Sequence, residues 1–202
     1  DVMDDLETAG LAFGRLSAQF IRDKVVPELD AFRFASYCGI SGVTKKEETL
    51  ADGAATVAAL SAAVTAMDDE EVTATGRYLF ITPTLLQGIN DMDTTKSKKV
   101  LEGFEQVIKV PQRRFYTAIK QLSGKTGEEA GGYTKATGAA NINFAIVQKD
   151  ALIQYTKHAA PKIIAPENNP DADAYVFGYR MVGIAKAYKN MLSGMYFSHD
   201  KA

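Results

Sequence analysis

The stretch from Asp4 to Cys38 constrains the chain more than any other. Leu6, Ala9, Phe13, Leu16 and Phe20 recur in steps of three and four, which lays an apolar stripe along one face of a helix. That face has to be buried against something. Asp4 and Asp5 stand where an N-cap belongs, Glu7 follows at capping-box distance, and the acidic cluster suits the positive end of a helix dipole. Gly39 and Gly42, flanking Ile40 and Ser41, mark the stop. Pro27 lacks an N–H and crowds the carbonyl of Asp23, so a bend or two abutting helices is expected there. If continuous, such a helix spans roughly 50 Å at about 1.5 Å per residue. A compact chain of 202 residues has a radius of gyration of about 16 Å and a diameter near ~40 Å. The helix is therefore predicted to be as long as the body it belongs to, which points to an elongated subunit whose surroundings are completed by sister copies.

With 46% hydrophobic and 24% charged residues, there is enough apolar surface for one large or two small cores. A formal net charge of -2 leaves no basic excess, against binding nucleic acid through its phosphates. A single cysteine, Cys38, excludes an intrachain disulfide and any multi-cysteine metal site, and fits a reducing compartment. No apolar run reaches the ~20 residues needed to span a bilayer, and the N-terminus lacks a basic-then-apolar leader. The chain begins at Asp1 instead of Met, and we take it as the C-terminal portion of a longer protein.

Val43 to Glu48 reads as a polar connector. Thr49 to Met67 is alanine-rich with Leu50, Ala54, Val57, Leu60 and Val64 in helical register, a second helix whose small residues permit close approach. The acid run Asp68 to Glu71 reads as a solvated loop. Tyr78 to Ile81 is a short continuous apolar run, as in a buried strand, and Thr82 and Pro83 then fit N-cap and N1 of a short helix with Leu85, Leu86 and Ile89. Asn141 to Val147 repeats the strand pattern and is followed by a predicted helix from Lys149 to His158. Between these units, Lys98 to Phe104 reads as helix or loop, Glu105 to Val110 as a strand, and Arg113 to Ile119 as a strand or helical turn. Gly124 to Gly138, with five glycines, reads as a flexible surface loop. In the tail Tyr175, Phe177, Tyr179 and Met181 alternate with Val176, Arg180, Val182 and Ile184, and a turn at Lys189 and Asn190 returns the chain through Met191 to Ser198. This predicts a strand pair packed on the N-terminal helix. The fold class is α+β.

Residues that could carry chemistry are scarce. His158 at a predicted helix end suits the dipole better than it suits a catalytic base, and His199 lies three residues from the C-terminus. Cys38 reads as a buried structural thiol. Gly124, Lys125 and Thr126 imitate the end of a phosphate-binding loop, but Ile119 occupies the required glycine position and no apolar helix follows. Asp91 and Asp93 lack the further ligands of a calcium loop. Arg113 and Arg114 beside Phe115 and Tyr116 fit a subunit contact or strand edge better than a nucleic-acid patch. No cofactor and no metal is expected, and weight shifts toward a structural role. An enzyme or binding domain using His158 or Arg113 is the alternative from another class.

Taken together, LAFGRLSAQFIRDKVVPELDAFRFASY (Leu11 to Tyr37), GRYLFITP (Gly76 to Pro83), VIKVPQRRFYTAI (Val107 to Ile119), and INFAIVQKDALIQYTKHAAPKIIAP with DADAYVFGYRMVGIAKAYKN (Ile142 to Asn190) resemble the major capsid proteins of tailed bacteriophages, the Hong Kong 97-like fold. The resemblance implies a spine helix with C-terminal strands in a peripheral domain (1-48 and 140-202) and an axial domain (49-139). An N-terminal arm and extended loop would lie upstream of Asp1. It also implies a non-enzymatic structural subunit that self-assembles into pentamers and hexamers around packaged DNA, without sequence-specific contacts and without a membrane. Scaffold, protease and portal would be its partners during assembly in the bacterial host cytoplasm, and the virion capsid its destination. An encapsulin-like compartment shell is the alternative within the same fold. Phe13, Leu16, Phe20, Pro27, Arg113, Arg114, Tyr179 and Arg180 are the candidate assembly and core residues.

Overall fold

The computed structural model describes residues 9–129, 131–170 and 175–201, with side chains in the first helix from Gly14 onward. The chain divides into two compact units, one formed by the chain up to Leu29 with Gln154–Ile184, the other by Asp30–Ile153 with Ala185–Ala202.

The larger unit is built on a five-stranded sheet. Its strands are β1 (Thr44–Glu47), β2 (Arg77–Ile81), β3 (Gln106–Lys109), β6 (Ile142–Gln148) and β9 (Met195–His199), in the order β1-β9-β6-β2-β3. The β1–β9 and β2–β3 pairs are parallel, while β6 runs antiparallel to both β2 and β9. All seven residues of β6 are buried, as a strand covered on both faces must be. A register shift between Ile142 and Phe144 places the side chains of Phe144 and Ile146 in one core and those of Ile142, Ala145 and Val147 in the other. The intervening Asn143 donates from Nδ2 to the Glu48 carbonyl at 2.9 Å, so the irregularity leaves no orphaned amide.

The first core is covered by α3 (Gly53–Asp69), α4 (Pro83–Asp91) and α5 (Thr95–Glu102). Helix α3 starts at Gly53, later than the apolar pattern suggested, because Asp52 is its N-cap and accepts from the Ala55 N–H at 2.7 Å. At Gly53 the helix meets α4 backbone to backbone: a Cβ there would lie 2.1 Å from the Gly88 carbonyl oxygen. Pro83 opens α4 as expected, and a Thr94–Ser97 capping box opens α5. The second core gathers Tyr37 and Cys38 from α2 (Val26–Gly39) with Phe115, Met195 and Phe197, and Phe34 sets its ring edge-on to Phe80 and Phe115 at 5.3 and 4.7 Å. A minor pair, β4 (Ile119–Gln121) and β5 (Tyr133–Lys135), brackets the glycine-rich loop, which is therefore partly strand.

The smaller unit holds α1 (Ala9–Phe20) and most of a two-stranded ribbon, β7 (Leu152–Ile164) with β8 (Val176–Ala187). Gly178 sits beside Lys162 and Gly183 beside Tyr155, so the two strands run in opposite directions. The disturbance expected at Pro27 takes the form of a π-helical stretch, Ile21–Val25, in which the Val26 N–H reaches back to the Ile21 carbonyl. The wider turn lies directly before the residue that cannot donate.

Four expectations are corrected. Val43 to Glu48 contains a strand, β1, because β9 supplies a ladder from Thr44↔Tyr196 to Glu47↔His199. Lys149 to His158 is not a helix: one 3-10 turn, Lys149–Ala151, leads into β7, where cross-strand pairing outweighs a spacing of Leu152, Ile153 and Tyr155 that fits either structure. The segment Met191 to Ser198 does not return along β8; its buried residues need neighbours on both sides and find them in β1 and β6. Within the acid run, Asp68 and Asp69 belong to α3 instead of a loop.

Candidate functional site

The deepest charge is Arg77, 2% exposed at the start of β2. Its guanidinium donates to the carbonyls of Val72 and Thr73 and pairs with Asp68 at 2.7 Å. The group thus ties the end of α3 to the sheet. Each of its partners belongs to the connection it braces, so it is a structural brace and not a reactive site.

Cys38 is buried, and burial pushes its thiol pKa up against the lowering influence of Lys45, which is the opposite of activation. Burial raises Tyr37 and Tyr196 in the same way. His158 lies exposed in mid-strand on β7, away from any helix end, and His199 closes β9 with Nδ1 2.8 Å from the Asp200 carbonyl. Asp93 pairs with Lys98 at 2.6 Å and Asp91 accepts from Gln87. Gly124 and Lys125 sit in the turn between β4 and β5, with no helix for a phosphate to cap. Among the described residues no group of three or more His, Cys, Asp and Glu could hold a metal ion. A pocket of about 40 Å³ lined by Ile89, Asn90, Asp93, Ser97, Lys98 and Leu101 has room for little more than water. No helix among the described residues is long and apolar enough to cross a membrane.

The candidate assembly residues separate into two groups. Arg114 donates from Nη1 to Asp30 at 3.1 Å, an ion pair within the larger unit that removes it from the open surface. Arg113 is exposed, and its carbonyl accepts from the Tyr133 hydroxyl at 2.8 Å. In the smaller unit Phe20 meets Phe177 edge-on at 5.6 Å, which realises the expected contact between the N-terminal helix and the tail strand. Yet the stripe itself is not enclosed: Leu16 is 48% and Phe20 39% exposed. In the single chain this face stays partly open, because one two-stranded ribbon cannot cover a helix on all of its apolar side. The side chain of Phe13, and Asp4, Asp5, Leu6 and Glu7, lie outside the described residues. Along β8 the predicted alternation holds: Phe177, Tyr179 and Met181 are half-buried, while Val176, Arg180, Val182 and Ile184 are exposed. Sequence reasoning missed the extent of that open apolar face.

No protein-family model and no curated protein sequence matches the chain. Solved structures do, among them two from phages. A chain from Mycobacterium phage Che8 superposes with TM-score 0.50 at 10% identity, covering 96% of this chain and 63% of its own length. A chain in the capsid structure of the cyanophage P-SCSP1u superposes with TM-score 0.51 at 16% identity, covering 99% of this chain and 67% of its own. This chain thus spans about two thirds of the length of those it matches. At such identities the likeness is one of fold, and it extends over nearly every residue: the chain shares an α+β fold with these two phage chains, one of them from a capsid structure.

Proposed function

We propose that this chain is a structural subunit of a phage or prophage capsid shell, located in the virion capsid and assembled in the bacterial host cytoplasm into pentamers and hexamers around packaged DNA. The observation that carries the reading is likeness to phage chains over 96% and 99% of the sequence. The exposed apolar residues of α1 and of the ribbon agree with it, since a shell subunit leaves its cohesive surfaces uncovered until copies meet. In this reading the role is not catalytic, and DNA is enclosed without base recognition. Scaffold, protease and portal would be partners during assembly. Residues 1-48 and 140-202 form the peripheral domain and 49-139 the axial domain; the smaller compact unit falls wholly within the former. Leu16, Phe20, Tyr179, Arg180 and Arg113 contribute to contacts between copies, Pro27 sets the course of the spine helix, and Arg114 stays internal.

Electron microscopy of the full-length protein, expressed with its neighbouring scaffold and protease genes, tests this. Closed shells or rings of five and six copies are the expected outcome. A protein that stays monomeric at every concentration overturns it.

A further inference from the structure

We propose that the open face of the β7–β8 ribbon docks along the exposed face of α3 in a second copy of this chain; the proposal rests on the shell reading above.

The ribbon face combines two features. Val182 and Ile184 point outward on β8, 42% and 47% exposed. Next to them on the same strand face stands Arg180, also exposed. Lys162 joins it from β7: a Cβ built on Gly178 would lie 3.9 Å from the Lys162 Cβ, which places that lysine opposite a residue on the face of Arg180. Neither strand contains an aspartate or glutamate. The surface is apolar across Val182 and Ile184 and cationic at Arg180 and Lys162, with a further exposed lysine, Lys186, beyond Ile184.

Helix α3 presents the complement. Ala54, Ala58, Ala62 and Ala66 are exposed at a spacing of four, a smooth apolar ridge with no long side chain to hold a strand away. The ridge ends in Asp69 and Glu70, both exposed and in no ion pair among the described residues. It runs about 18 Å at 1.5 Å per residue. From Gly178 to Ile184 the ribbon face runs about 20 Å. The lengths agree, apolar meets apolar, and the cations meet the acids. Because ribbon and ridge are different surfaces, the contact is head-to-tail and propagates from copy to copy, as rings require. One such contact is small, and its strength in a shell comes from repetition.

Reversing charge separates this from other occupants of the ribbon. Lys162→Glu with Arg180→Glu, and separately Asp69→Lys with Glu70→Lys, are compared with wild type and with all four changes combined. Sedimentation velocity reads the associated fraction, and thermal melting confirms that each variant is folded. Each pair of reversals should lower association roughly tenfold or more, and the combination should restore most of it, because opposite charges then face each other again. Folded variants that all associate like wild type overturn the proposal, as does a combination that fails to recover. Normal association with loss only of co-purifying nucleic acid also overturns it, in favour of a phosphate backbone on the ribbon. A wild type that remains monomeric overturns both this contact and the shell reading, whereas association insensitive to these charges overturns this contact alone.

Discussion

Strands β6 and β7 are consecutive, separated by one 3-10 turn, yet they end in opposite surroundings. Every residue of β6 is buried between β2 and β9, with an apolar core on each face. In β7 the large side chains of Tyr155 and Ile163 are more than half exposed, and β8 is the one strand beside it. The difference lies partly in composition, since β7 carries Lys157, His158 and Lys162 where β6 has no charged residue, and partly in the neighbours that the rest of the fold supplies. Burial of β6 stabilises the single chain. The apolar face of the ribbon can contribute its ~25 cal/mol per Å² only when something else covers it.

Matched substitutions in the two strands should break this contrast or sharpen it. Phe144→Ala empties a site at 0% exposure in the larger unit and should cost about 3–5 kcal/mol, read as a lower denaturant midpoint at unchanged slope. Ile184→Ala in the ribbon should change the unassembled chain by less than about 0.5 kcal/mol. Equal costs would mean that the ribbon is already enclosed in the single chain.

The same contrast holds at glycines. Gly53→Ala drives a Cβ to within 2.1 Å of the Gly88 carbonyl oxygen, where two packed helices have to separate, at a cost of up to about 3 kcal/mol. Gly183→Ala brings a Cβ to 3.0 Å from the Tyr155 carbonyl oxygen, in a two-stranded ribbon with β8 paired on one side, and should cost about 1 kcal/mol or less. A reversed order in thermal melting would place the rigid part of the molecule in the ribbon.

What the sequence discloses follows from the range of the forces involved. Tyr78 to Ile81 and Asn141 to Val147 are legible as strands because a short continuous apolar run carries its own burial. Pro83 and the stop at Gly39 are legible because they act on their own backbone. Strand β1 is not: Thr44–Glu47 is polar and wholly exposed, and it is a strand only because β9, 150 residues on, lies alongside. Partner choice fails for the same reason in the tail, where Met195–His199 leaves β8 for the main sheet. Nor does anything local distinguish Arg77 as a buried brace, since its partner Asp68 reads as one more member of an acid run. In the candidate surface, the alternation of β8 was readable residue by residue. Which of its faces stayed open was not, because that depends on where distant elements pack and not on the strand's own residues.

Phe20→Ala probes an aromatic contact that ties helix to ribbon. Phe20 keeps a T-shaped contact with Phe177 while remaining partly exposed, so its truncation should cost about 1 kcal/mol, well short of a core phenylalanine. A cost near that of Phe144→Ala would show the helix face to be buried as its spacing first suggested.

The smallest effect concerns a surface with neither buried strands nor open apolar face, the loop between β4 and β5. The Glu128 carboxylate accepts from the Lys120 ammonium, and from the Ser123 backbone N–H at 3.3 Å and hydroxyl at 3.2 Å. The lysine hydrogen bond first, then the Ser123 N–H, hold its pKa below the ordinary value of 4.5. A depressed carboxylate stabilises its contacts fully above the unfolded value and loses them as pH falls through the folded one, so the tie opens below pH 4.5. Because the carboxylate is in water and screened, global stability should not follow it. The Ser123 amide resonance should titrate with a midpoint under 4.5 and cease to do so in Glu128→Gln, while the denaturant midpoint of that variant stays where it is. A titration accompanied by a shift in global unfolding would make this loop part of the cooperative core, and the contrast between enclosed sheet and open periphery would have to be redrawn around it.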